Sequence, residues 1–494
     1  MNQPVAHIEI SKEIFRMIGK IAEEVGVQVY VVGGYVRDIL LGHEVNDIDI
    51  VVLGDGIAFA QRIAGALGKK KLVVYEKFGT AMLFAEPMKI EFVGARKESY
   101  FRDTRKPSVT EGTLLEDLSR RDFTINAMAV SLNRESWGFL VDPFDGQKDL
   151  REKKIRTPLD PAKTFDDDPL RIMRAIRLAC QLGFSIDPET MEAMKQMNER
   201  LSIVSQERTT EEFMKILASA VPSAGLLLMF HTGVMKIVFP EVADLSGVDQ
   251  RADHHHKDVF LHTCQVVDNI ATMTDNVYLR FTALVHDIAK PKTKQFREDV
   301  GWTFYGHEEL GARMVKHFFR RMKLPFDKVP YVEKLVRLHL RPMALVDEEV
   351  TDSAVRRLLF EAGEEIDDLM TLCRADITSK NPKLVKEYAG NYDRVWSKMK
   401  EVEEKDRLRA FQPPVRGDEI MKVCDLEPGK LVGILKSKIE DAILDGRISN
   451  DHDQALNYLL QIKEDVIRQF EKDSHQHPDA IVEKQTSEAG KPTK

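Results

Sequence analysis

The chain has 494 residues, a formal charge of −8 and a pI near 6.0, so no strongly basic field over the whole molecule marks it as a nucleic-acid binder. That length suits roughly three or four domains. Its cysteines, Cys180, Cys264, Cys373 and Cys424, stand far apart without a Cys-x-x-Cys pair, which argues against a disulfide scaffold or zinc ribbon and for a reducing compartment. No basic segment followed by an apolar one opens the chain, and the best apolar stretch, 224–239, contains His231 and Lys236 and is too short to span a bilayer. These features predict a cytoplasmic protein with no membrane contact.

Taken in chain order, residues 1–150 alternate strand-like and helix-like segments. Apolar runs predict strands over 27–32, 47–52, 71–74, 80–84, 89–93 and 137–141, and a helix over 57–67. The first strand breaks at Gly33-Gly34, where a backbone without side chains can approach an anion. The N–H groups of the next helix start can hold phosphate oxygens, and Arg37 in its first turn adds a fork of donors. Ten residues after Arg37, Asp47-Ile48-Asp49 alternates, which puts both carboxylates on one strand face. Such a pair is what two Mg²⁺ ions need to clamp a phosphoryl transfer, whereas either feature alone is more often a plain turn or a solvated edge. Gly68-Lys69 is no P-loop, since Ile63 stands at the first glycine position and Lys70 at the hydroxyl position.

Downstream come Arg120-Arg121-Asp122-Phe123-Thr124-Ile125-Asn126 and then Asp166-Asp167-Asp168-Pro169-Leu170-Arg171, with Arg174 and Arg177 following. Asp before Pro is a good helix start, with the carboxylate as N-cap and proline in the first turn. Asp168 and Arg171 are three apart and share a helix face. From about residue 160 the pattern is helical almost throughout. Residues 473–494 are polar and rich in Lys, Ser, Pro and Gln, which predicts disorder.

In order and spacing these segments, from about residue 29 to 376, resemble the bacterial-type (class II) tRNA nucleotidyltransferase and poly(A) polymerase family, fused to an HD domain. The resemblance implies an α+β head with a polymerase-β-like mixed sheet, followed by a mostly helical neck, HD body and tail. The expected boundaries are 1–150 for the head, 151–245 for the neck, 246–385 for the HD domain and 386–472 for a tRNA-binding tail. It further implies that Asp122 accepts a hydrogen bond from the ribose 2′-OH, with Arg121 and Asn126 lining that pocket. Asp168 and Arg171 would read the Watson–Crick edge of the incoming base, with Arg174 and Arg177 in the same nucleotide-binding set. The family pattern carries Glu where Asp167 stands here, so the charge is kept on a shorter side chain. The segment Ser205-Gln206-Glu207-Arg208 with Glu212 resembles the helix that braces the nucleotide pocket.

Further along, His262, His286-Asp287 and Asp376 follow the order of HD phosphohydrolases, with His307 and His339 as further candidates. Such ligands suit a divalent metal whose bound water could attack a phosphoester. His254-His255-His256 are consecutive, so regular structure cannot turn all three to one ion; they read as the lead-in to the HD helix.

The expected activity is addition of CCA to tRNA 3′ ends from CTP and ATP, with two Mg²⁺ ions in the head and a second divalent metal in the HD domain. Addition of CC or A alone, and polyadenylation, stay open. Segment 95–107, charged and aromatic without periodicity, reads as a mobile loop, and the resemblance implies that this loop helps switch specificity from C to A. Two readings of other classes stand beside this one: a phosphohydrolase centred on the HD domain, and a non-catalytic RNA-binding protein. Arg337, Arg341, Lys380 and Lys383 are candidate RNA contacts. The sequence does not fix the oligomeric state.

Overall fold

The computed structural model describes residues 7–68, 71–101, 104–248, 258–347, 351–379, 381–406 and 414–476. Lys69, Lys70, His254, His255, His256, Lys380 and residues 477–494 lie outside them. The chain forms two compact units. One comprises residues 1–284, 290–305 and 316–326, and the other 285–289, 306–315 and 327–494.

The first unit opens with the helix α1 (Glu13–Val25), whose Ile14, Phe15, Ile18 and Ala22 line one buried stripe. The strand β1 (Gln28–Val32) carries fully buried Val29, Val31 and Val32, and the helix α2 (Gly34–Leu40) follows it directly. The strand β2 (Asp47–Leu53) leads to α3 (Gly56–Ala66), which Asp55 caps by accepting from the amides of Ile57 and Ala58. Then come β3 (Leu72–Tyr75), β4 (Thr80–Ala85) and β5 (Met88–Gly94). With β8 (Ala129–Ser131) and β9 (Leu140–Val141) these strands make a seven-stranded sheet in the order β3-β4-β5-β2-β1-β8-β9. Every neighbouring pair is antiparallel except β2 and β5, which run parallel, so the sheet is mixed.

Two expectations need correction here. Segment 95–107 is not an irregular loop: β6 (Arg96–Phe101) and β7 (Thr104–Glu111) pair antiparallel as a separate two-stranded ribbon, with a register shift between Ser99 and Phe101. Its strands pair with each other and stand outside the seven-stranded sheet, and their charged and polar sequence offers no apolar alternation for periodicity to reveal. The strand expected over 137–141 shrinks to two residues, because 137 and 138 form a turn with Gly138 at φ +74° and Phe139 joins only an isolated bridge to His7. Its neighbour β8 escapes the pattern because all of its residues are buried on both faces.

After α4 (Leu114–Ser119) and α5 (Gly146–Arg151), the strand β10 (Lys154–Ile155) pairs in parallel with β11 (Ser185–Ile186) around the neck helices. These are α6 (Pro161–Asp167), α7 (Leu170–Leu182), α8 (Pro188–Met197) and α9 (Gln206–Leu217). One departure from the helical remainder is a hairpin, β12 (Gln295–Arg297) and β13 (Gly301–Thr303).

The second unit is helical, and its last three helices, Gly417–Cys424, Lys430–Leu444 and His452–Gln476, close around Ile420, Leu435, Ile439, Ala455 and Leu459. The final helix reaches Gln476, so 473–476 are helical where disorder was expected. Among the described residues no helix is long and apolar enough to cross a membrane.

Candidate functional site

The parallel β2–β5 pairing decides where the acids fall. Asp47 is opposite Lys89 and Asp49 opposite Glu91, and the period of two puts all four on one face of the sheet. The Lys89 ammonium lies 3.7 Å from the Asp47 carboxylate, which is 75 % exposed. Burial pushes the Asp49 carboxyl up and Asp47 adds to this, while Arg121, Lys89 and Arg174 pull it down. Burial and then the charge of Asp49 also raise Glu91. Carboxyls raised by burial and by one another are a hard-oxygen donor set whose repulsion a divalent cation would relieve.

The turn after β1 brings the Gly33 backbone to Asp49, where Arg121 meets both. Gly33 has φ +74° and ψ −137°, a conformation open to glycine. A Cβ there would meet Arg121 Nη1 at 2.7 Å and Asp49 Oδ2 at 3.4 Å, so the backbone, guanidinium and carboxylate are in close approach. The Gly33 N–H donates to the Met128 carbonyl at 3.2 Å and is thus already engaged within the protein. Beneath the site, fully buried Asp117 accepts from Arg120 (3.1 and 2.5 Å) through one oxygen and from Arg121 (3.3 and 3.2 Å) through the other. Burial opposes that charge, but the two guanidiniums outweigh it and hold the Asp117 carboxyl below its ordinary range. Arg37 forks onto Asp38 with two 2.7 Å bonds and donates to Asn126 Oδ1 at 2.8 Å, so its fork is already engaged.

Asp122 is the hub of a second web. One of its oxygens accepts from the Phe123 amide (2.8 Å) and Asn126 Nδ2 (3.0 Å), and the other takes both Arg174 bonds (2.8 and 2.6 Å). Two donors on each oxygen fill the acceptor capacity of a carboxylate. Burial works against ionisation, yet Arg174 and the hydrogen bonds hold Asp122 well below the usual carboxylate range and push Arg174 up.

The neck positions the remaining residues. The Asp168 carboxylate accepts from the Leu170 amide at 3.2 Å, as a cap does, and its other oxygen takes Arg208 from α9 at 3.2 Å. Arg171 is buried and donates to the carbonyls of Thr164 (3.3 Å) and Arg120 (2.5 Å), which ties the neck to the Arg-Arg-Asp segment. Arg177 donates to buried Glu212 at 2.6 Å. One ion pair from α7 and one from Asp168 just before it therefore bolt this segment to α9.

In the second unit His286, Asp287, His307, His339 and Asp376 come together. Asp287 lies 3.2 Å from His286, 3.2 Å from His307 and 3.9 Å from His339, and Asp376 lies 3.6 Å from His286. His339 Nδ1 is 2.6 Å from the Val336 carbonyl. A carbonyl only accepts, so Nδ1 carries the proton and Nε2 keeps a lone pair; that buried Nε2 has no hydrogen-bond partner among the described residues. Such locking is how metal-binding imidazoles are oriented, so Asp287, His307 and His339 fit a divalent metal. His262 is on the helix Val259–Ala271 of the first unit and is 6 % exposed. Of the RNA candidates, Arg337 pairs with Glu309 (2.7 Å) and Arg341 with Glu361 (2.9 Å), whereas Lys383 is exposed.

Two residues, Glu91 and Asp117, and one pairing, of Arg208 with Asp168, were missed from sequence. Glu91 could have been found, since 89–93 was read as a strand, but its parallel pairing with β2 was not. Asp117 sits four residues before Arg121 at helical spacing. Arg208 gave no signal of an Asp168 partner.

Residues 29–156 match the poly A polymerase head domain, 183–245 the probable RNA and SrmB-binding site of polymerase A, and 259–380 the HD domain. The chain is 35% identical over 370 residues to the multifunctional CCA protein of Xanthomonas campestris pv. campestris, covering 71% of this chain and 85% of that one. It is 38% identical over 232 residues to the A-adding tRNA nucleotidyltransferase of Geobacter sulfurreducens, covering 46% of this chain but about a quarter (26%) of that longer protein. The solved Thermotoga maritima CCA-adding enzyme complexed with tRNA aligns at a TM-score of 0.57 and 26% identity, over 91% of this chain and 94% of that one. By the head-domain match and by 35% identity across 85% of a multifunctional CCA protein, the chain belongs to the tRNA nucleotidyltransferase and poly(A) polymerase family.

Proposed function

We propose that this chain adds CMP and AMP, from CTP and ATP, to the 3′ end of tRNA and completes the CCA terminus. The observation that carries this reading is the acidic face of β2 and β5, set against Gly33 and Arg121. Asp47 and Asp49, with Glu91 beside them, would hold Mg²⁺, two ions by the family resemblance. Bound there, the metal supplies charge neutralisation at the phosphates and acidifies the attacking hydroxyl. The RNA 3′ oxygen forms a bond to the α-phosphorus, the bond to the β-phosphate oxygen breaks, and pyrophosphate leaves. Arg121, fixed by Asp117, and the first amides of α2 face the triphosphate; Arg37 holds Asn126 in place. No covalent enzyme intermediate is needed, so positioning and electrostatics supply the rate.

Asp168 and Arg171 select the base. Arg171 spends two donors on carbonyls and keeps the rest of its fork for the cytosine ring nitrogen and carbonyl. Asp168 accepts from the exocyclic amino group that C and A carry. The ribose contact belongs to the Asp122–Asn126–Arg174 web as a whole, because Asp122 accepts the 2′-OH only if one present donor yields. Incubating tRNA transcripts ending at the discriminator base, at C or at CC with Mg²⁺ and CTP, ATP or both tests the reading. Growth of all three to CCA and no further supports it. Extension of the CC transcript alone, arrest at CC, or a long A ladder reassigns the chain to A addition, CC addition or polyadenylation.

The locked His339 favours a second activity, metal-dependent hydrolysis of phosphomonoesters or cyclic phosphates at the HD cluster. Loss of such hydrolysis in Asp287→Ala, with tRNA extension retained, is the expected result; wild-type protein inert with every divalent metal refutes it.

A further inference from the structure

The β12–β13 hairpin is built with its polarity reversed. Phe296 and Trp302 are opposite one another across the strands, with ring centres 5.2 Å apart in an edge-to-face arrangement. The alternation of a strand puts Gln295 and Thr303 on the other face, and it is Thr303 that is buried, at 8 % exposure. The aromatic face looks outward, with Phe296 61 % and Trp302 40 % exposed, and nearby Val300 and Tyr305 are exposed as well. A short hairpin gains its stability by burying its apolar face, so an aromatic pair turned to water is costly unless something covers it.

The charges around these rings indicate what does. Lys290, Lys292, Lys294 and Arg297 stand against only Glu298 and Asp299 in this segment, in a chain that is acidic overall. Lys294 Nζ is 4.4 Å from the centre of the Trp302 ring and Lys290 Nζ 5.6 Å from that of Phe304. Protein interfaces are depleted in lysine and need many more residues than one hairpin offers. Exposed rings flanked by lysines match the way single-stranded nucleic acid is bound, bases on the rings and phosphates on the cations.

We propose that the outward face of this hairpin is a stacking platform for unpaired bases of the RNA substrate, formed by Phe296 and Trp302 with Lys292 and Lys294 on the backbone. The proposal rests on the reading of the chain as an RNA-extending enzyme and adds an RNA contact outside the nucleotide-transfer residues.

The test uses the full chain and the fluorescence of Trp302, one of three tryptophans. Titration with a short single-stranded RNA should quench the emission, and Trp302→Phe should abolish that quenching. Trp302→Ala should raise the Kd for a tRNA transcript about fivefold or more, as the loss of one stacked base does, and Trp302→Phe should restore most of it. In extension assays the change should fall on KM for tRNA and leave kcat alone. Wild-type affinity in Trp302→Ala overturns the proposal, as does a change in self-association in place of RNA affinity. Quenching by short RNA is read without any extension, so a wild-type protein that quenches but extends no tRNA indicts the enzymatic reading, whereas one that extends tRNA without quenching indicts the platform.

Discussion

Arg121 is packed against the backbone of Gly33: Nη1 occupies the space a Cβ would need, 2.7 Å away, while two bonds to Asp117 stop the guanidinium from retreating. The glycine is thus required both by its positive φ and by its neighbour. Gly33→Ala should lower the thermal midpoint, with strain of about 1–3 kcal/mol, and reduce kcat/KM for nucleotide addition more than the stability loss explains. Wild-type kinetics in a folded Gly33→Ala protein would remove the turn from the triphosphate site.

Asp47→Ala and Asp49→Ala should each cut nucleotide addition by more than about a hundredfold with the circular dichroism spectrum unchanged, and EDTA should do the same to the wild type. Glu91→Gln should cost about tenfold to a hundredfold if it supports those acids. Near-normal turnover in either aspartate variant contradicts the metal assignment.

Base choice and stability separate at Asp168. Its partner Arg208 is a half-exposed ion pair, worth no more than about 1 kcal/mol, so Arg208→Ala should barely move the melting temperature. It should nevertheless raise misincorporation of U or G, because the Asp168 carboxylate loses one of its two anchors. Arg171→Ala should relax discrimination by about tenfold or more and also destabilise, since it strands two carbonyls. Fidelity assays with single nucleotides on a CC-ended transcript decide between the two effects.

The Asp122–Arg174 pair makes an acid-dependent contribution. The folded pKa of Asp122 is depressed, so its stabilisation is complete above the ordinary carboxylate value of about 3.9 and is lost as pH falls below it toward the folded value. Denaturant titrations at falling pH should show this loss in the wild type and a flatter profile in Asp122→Asn. Asp122→Ala at neutral pH should cost about 1–3 kcal/mol, because it removes the buried acceptor of three donors, while Arg174, whose side chain is 37 % exposed, can turn partly to water. Equal acid profiles for wild type and Asp122→Asn would place the acid sensitivity elsewhere.

Much of the head was readable because its strands break at glycines, among them the Gly33-Gly34 pair, and Asp47 and Asp49 alternate within a run whose other residues are buried. Glu91 stayed hidden because what joins it to Asp49 is a pairing between strands distant in sequence, which no local window contains. The ribbon of β6 and β7 was misread for a related reason, as its strands are charged and pair with each other outside the main sheet. Likewise, Asp168 as cap and as partner of Arg208 are two facts about one carboxylate, and only the first is local. His307 and His339 entered as candidates by order alone; the Val336 carbonyl that fixes the His339 tautomer is three residues away, yet nothing in the side-chain pattern reports a backbone bond.

The parallel union of β2 with β5 also has a temporal side. Strands β4 and β5 form a hairpin that needs only neighbours, but β5 reaches β2 only after the intervening α3 and β3 have been laid down and the chain has crossed back. Such non-local parallel pairing is slow compared with hairpin closure. Recovery of nucleotide addition after dilution from denaturant should therefore lag the return of helical signal, and the length of that lag measures when the last acid arrives.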